Sequence, residues 1–87
     1  MDIEAFRRKL QFRSWHRGTR EMDILMGRFA DLTLPTLDAA GLDAYARLLE
    51  ENDPDVYDFY CGRRGLDDFD PEVSRDLLTL FKDYRPA

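Results

Sequence analysis

Apolar residues recur along this chain at helical spacing, in five groups separated by turn-forming residues. In the first group Ile3, Phe6 and Leu10 share one face behind Asp2, a residue suited to capping a helix, and Phe12 flanks that face. Met22, Leu25, Met26 and Phe29 follow the i, i+3, i+4, i+7 pattern and predict a second helix from Thr19 to Asp31. Arg20, Asp23 and Gly27 fall off its stripe. Pro35 ends this helix, because the proline ring disfavours the α region at Leu34. Asp38, as N-cap, opens a third helix with an inner stripe of Leu42, Tyr45, Ala46 and Leu49, closed by Glu50-Glu51-Asn52.

Two Asp-Pro steps then restart the pattern. Asp53 reads as an N-cap with Pro54 at the first helical position, and the short fourth helix presents Val56, Phe59 and Tyr60 before stopping at Gly62. Tyr57 lies on another face, and residues 63–69 read as a loop. Asp70-Pro71 repeats the device and opens a fifth helix with Val73, Leu77, Leu80, Phe81 and Tyr84, ended by Pro86. No stretch shows the alternation of a strand. The pattern predicts an all-α fold, a compact bundle of about five short helices forming a single domain over residues 1–87.

Charge adds an asymmetry. Residues 1–20 carry six cations against Asp2 and Glu4, a net +4, which leaves −9 for the rest of a chain of net charge −5. A basic corner on an acidic body suits a partner surface or a bound anion, while a solvated arginine-rich face is the plainer alternative. Cys61 is the only cysteine, which excludes an internal disulfide, and with the single His16 it offers no metal cluster. Free cysteine fits a reducing compartment, and Cys61 reads as a small core residue rather than a nucleophile. No apolar run approaches the ~20 residues of a membrane span, and the start lacks the apolar region of a secretory signal. Its arginines mimic a transit peptide, but Asp2 and Glu4 argue for mature protein and for a bacterial cytoplasm over a mitochondrial matrix.

Enzyme signatures are missing: there is no phosphate-binding loop, dinucleotide fingerprint, HExxH or nucleophile–base pair, and so no catalytic residue is assigned. His16, alone beside arginines at a helix end, reads as a solvated or capping group. A sequence pI near 4.7 is wrong for a nucleic-acid binder, whose footprint is a strongly basic face. A protein-binding module fits better, because Arg13, Trp15, His16, Arg17 and Arg20 put the residue types of interface anchors into one short stretch.

That stretch, Ser14 to Asp23, joins the first two helices. Gly18 can end one helix and cap the next, placing Glu21 in a first turn where its carboxylate faces free N–H groups and the helix dipole. Arg17 and Glu21 are expected to form a local ion pair. Nothing projects from the Cα of Gly18, so another backbone can approach there. Trp15 reads as a plug at the end of the core, with an exposed binding anchor as the alternative.

Arg17-Gly18-x-x-Glu21, followed by Met22-Asp23 and an apolar helix, resembles the RGxxE signature of the SdhE family of small succinate dehydrogenase assembly factors. Leu48-Leu49-Glu50 and Asp53-Pro54-Asp55-Val56 match further, and the resemblance runs from about Phe12 to Tyr60. One departure is Phe59, where the family pattern has tryptophan. The resemblance implies a small helical protein that binds the flavoprotein subunit of succinate dehydrogenase, and in bacteria of fumarate reductase. It also implies that this binding promotes covalent attachment of FAD to a histidine of that subunit. Arg17, Gly18 and Glu21 carry over as the contact surface, with Trp15, His16 and Asp23 as neighbours. The chain would act as a monomer, hold no cofactor of its own, and enter no membrane. An antitoxin-like regulatory role and a small helical nucleic-acid-binding module are the alternatives.

Overall fold

The computed structural model describes residues 2–85, and among them the chain forms five α-helices and no strand. These are α1 (Ile3–Trp15), α2 (Arg20–Thr33), α3 (Ala39–Leu49), α4 (Asp53–Tyr60) and α5 (Arg75–Asp83), with single 3-10 turns at Leu34–Thr36 and Leu66–Asp68. Asp2 caps α1 as expected, its Oδ1 accepting from the N–H groups of Glu4 at 3.0 Å and Ala5 at 3.2 Å. Asp38 does the same for α3 through Gly41 N–H at 2.9 Å.

Helices α1 and α2 run antiparallel and are locked by Trp15. Its indole lies flat on Gly27, where an added Cβ would stand 2.2 Å from the ring, so glycine is what lets the two helices meet. The indole N–H donates to Asp31 at 3.1 Å, and the same carboxylate oxygen accepts from Gln11 at 2.6 Å. The tryptophan is half-buried and wedges α1 against α2 beside the core. Phe29, Tyr45, Phe59, Phe81 and Leu78, contributed by α2 to α5, are wholly buried in one apolar cluster with Leu10 of α1. Inside it Ser14 pairs with Tyr45: the hydroxyls meet at 2.8 Å, and the serine also donates to Leu10 O. Burial pushes the Tyr45 phenol well above its ordinary pKa, so it stays neutral in the core.

Several sequence expectations shift. Phe12 does not flank the core; it is 63% exposed. Helix α2 continues to Thr33, and Pro35 sits inside the 3-10 turn that follows, where it lacks only a donor that the turn does not need. The N-cap position of α4 is Asn52, because the Asp53 carboxylate turns towards Arg17. Asp70-Pro71 opens a turn and not a helix: Asp70 accepts from Glu72 and Val73 N–H groups, and Ser74 caps α5 at Leu77 N–H. With α5 starting at Arg75, Leu78 enters the core and Leu80 is 54% exposed. Cys61 lies past the last turn of α4 and is exposed, not a core residue. Pro86, expected to end the last helix, lies outside the described residues.

Candidate partner-binding corner

The turn between α1 and α2 is built from residues 16–19. Gly18 takes φ +119°, a conformation that side-chain-bearing residues rarely adopt, and a Cβ there would meet nothing within 4 Å. Its requirement for glycine is conformational, and the space above it is open. The capping is done by other residues than expected. Thr19, not Gly18, is the N-cap of α2, its Oγ1 accepting from Met22 N–H at 3.3 Å. Asp23, not Glu21, takes the free turn donors: its Oδ1 accepts from the N–H groups of Arg17 and, at 3.2 Å, of Gly18. One half-buried carboxylate thereby latches the turn onto α2.

Arg17 does not pair with Glu21. Its guanidinium crosses to the α3–α4 junction, where Nη2 lies 2.9 Å from Asp53 Oδ1 and Nε donates to the same oxygen at 3.0 Å. Nη2 also donates to the carbonyls of Leu49 at 2.9 Å and Glu51 at 3.3 Å. The side chains of the pair are only 11% and 19% exposed. A cation against the carbonyl end of α3 and an anion at the N-terminal end of α4 both agree with the helix dipoles. Arg13 adds a weaker tie, reaching Glu50 at 3.4 Å. The two matched sequence blocks are therefore one structural unit: Leu48 and Leu49 fill the core, Glu50 holds Arg13, and Asp53 holds Arg17.

The outer side of the corner is different. Glu21 is exposed and makes no hydrogen bond or ion pair among the described residues. Next to it opens a cleft of about 400 Å³ lined by Thr19, Glu21, Met22, Asp53, Pro54 and Tyr57. The Tyr57 phenol is raised above its ordinary pKa by the Cys61 side chain beside it, and the Glu21 charge acts in the same direction. His16 lies on the outside of α1, stacked on Phe12 with ring centroids 4.0 Å apart, and its Nδ1–H donates to Phe12 O at 2.7 Å. Arg20 is exposed at the start of α2.

Of the six residues singled out by sequence, Gly18 and Glu21 thus face outward at the corner, and His16 is exposed on the outside of α1. Arg17, Asp23 and Trp15 hold the corner together from within. Sequence reading missed Asp53 as the partner of Arg17, and Tyr57 as a wall of the cleft. Asp53 carried a signal, its place in the second matched block, but its pairing with Arg17 spans 36 residues and leaves no local trace. Among the described residues no cluster of side chains could hold a metal, and no helix is long and apolar enough to cross a membrane.

A small all-helical protein, with a helix–helix corner pinned onto a second helical junction, is the class that this fold and site define. The chain belongs to the family described as "Flavinator of succinate dehydrogenase", which matches residues 8–81. It is 42% identical over 65 residues to the FAD assembly factor SdhE of Acetobacter pasteurianus, covering 75% of this chain and 60% of that protein. It is 36% identical over 73 residues to the mitochondrial succinate dehydrogenase assembly factor 2 of Dictyostelium discoideum, covering 83% and 52%. With the FAD assembly factor SdhE of Pseudomonas putida it shares 31% identity over 74 residues, covering 83% of this chain and 86% of that protein. The chain thus spans about 60% and about half of the first two relatives' lengths. No solved structure matches it significantly.

Proposed function

We propose that this chain is an assembly factor, not an enzyme, that binds the flavoprotein subunit of succinate dehydrogenase and promotes covalent attachment of FAD to it. The flavoprotein of fumarate reductase is a second client of the same surface. The observation that carries this reading is the joining of both family sequence blocks at one corner through Arg17 and Asp53, with Gly18 and Glu21 left on the outside. Family membership and the names of the relatives support the same client.

The chemistry of attachment belongs to the flavin, and this chain supplies positioning. It holds no FAD stably itself. Docking of the corner selects the flavoprotein arrangement competent for attachment; a binder indifferent to that arrangement would shift no population. The open space above Gly18 lets the client backbone approach, and the Glu21 carboxylate accepts a charge-assisted hydrogen bond from the client. Arg17, Asp23 and Trp15 act by holding that surface in shape. In this reading the protein works as a monomer in the bacterial cytoplasm.

The test is in-gel flavin fluorescence of a denatured succinate dehydrogenase flavoprotein, expressed with and without this chain. Covalent flavin is expected to rise with the wild type and to stay at background with Gly18→Arg or Glu21→Ala. Equal fluorescence in all samples would overturn the proposal.

A further inference from the structure

The cleft beside Glu21 has a composition that the motif alone does not explain. Its walls are apolar: Met22 on α2, and Pro54 and the ring of Tyr57 on α4. Tyr57 stays 38% exposed although it is among the larger side chains of the molecule. The Arg17–Asp53 pair ties the α1–α2 turn to the start of α4, at the edge of this cleft. Charge at the mouth is one-sided. Asp53 is matched by Arg17, Asp55 by Arg64, and Arg63, whose guanidinium lies 6.0 Å from the Tyr57 ring centroid, by Asp58. Among the described residues Glu21 has no counter-charge, and its neighbour Arg20 does not line the cleft.

We infer that this cleft is an anchor pocket for one apolar side chain of the flavoprotein client, presented next to a lysine or arginine that pairs with Glu21. The inference rests on the function proposed above and adds the chemistry of the segment recognised. An apolar wall with one unmatched carboxylate complements an apolar residue beside a cation and disfavours an acidic segment. A preformed pocket with an aromatic wall is where interfaces concentrate binding energy, because little ordering is needed on docking.

Titration calorimetry of the purified flavoprotein subunit, carrying non-covalent FAD, against this chain tests it. Tyr57→Ala is expected to weaken binding by about tenfold or more, with helicity retained by circular dichroism because Tyr57 lies outside the core. Leu80→Ala, an exposed apolar residue far along the chain, should leave affinity unchanged. A benzophenone side chain at position 57 should crosslink to a client segment holding an apolar residue next to Lys or Arg. Wild-type binding with unaltered Tyr57→Ala affinity, or a crosslink to a segment without a cation, would overturn the inference and leave the proposed function standing. The same holds if Tyr57→Ala abolished only self-association seen by sedimentation. Absence of wild-type binding would overturn both.

Discussion

Arg17 and Glu21 stand four residues apart in one short motif, and the fold treats them in opposite ways. The inner side of the corner is closed: Arg17 is 11% exposed and meets a carboxylate and two carbonyls, while Asp23 holds the turn's N–H groups. The outer side is open, with nothing near the Cα of Gly18 and Glu21 beside the cleft. A motif that reads as one charged patch is thus a scaffold facing inward and an exposed surface facing outward, the side that the proposed function assigns to recognition. Loss of function on mutation would therefore have two physical origins, and only one of them is contact with a partner.

Stability measurements separate the two sides. Arg17→Ala should cost most, about 3 kcal/mol in urea unfolding, because it strands a partly buried Asp53 and removes donors from two carbonyls. The double variant Arg17→Ala/Asp53→Ala should cost less than the sum of the single changes, as expected for a coupled pair. Gly18→Ala should cost about 1–2 kcal/mol, since φ +119° is strained for any side chain although nothing stands in the way of the Cβ. Glu21→Ala should change stability by no more than about 0.5 kcal/mol, the usual range for an exposed residue without a partner, while removing flavinylation. Were Glu21→Ala as destabilising as Arg17→Ala, the division into an inner and an outer side would fail.

The legibility of this molecule followed the same division. Helical spacing located all five helices, because each buries a stripe that repeats every turn. The end signals were read less well where two residues competed for one role. Asp53-Pro54 and Asp70-Pro71 look alike in sequence, yet neither aspartate is an N-cap: one carboxylate is drawn off by an arginine, and the other closes a turn that delays α5 to Arg75. Gly27, off the α2 stripe, is the bed on which the half-buried Trp15 indole lies. Phe12 and Leu80 lie further out than their spacing predicts, because periodicity marks a face without saying whether another element covers it.

By itself the sequence determined the helices, the glycine turn, the acidic first turn of α2 and the family signature, all of which rest on interactions within a few residues. Only the tertiary structure decided which motif residues are spoken for. Arg17 could have met Glu21 four residues away, but in the folded chain a carboxylate 36 residues distant and two helix-end carbonyls compete for it, in a site that excludes most water. Glu21 is left without a partner among the described residues, and the cleft next to it is bordered by Asp53 of that same pair.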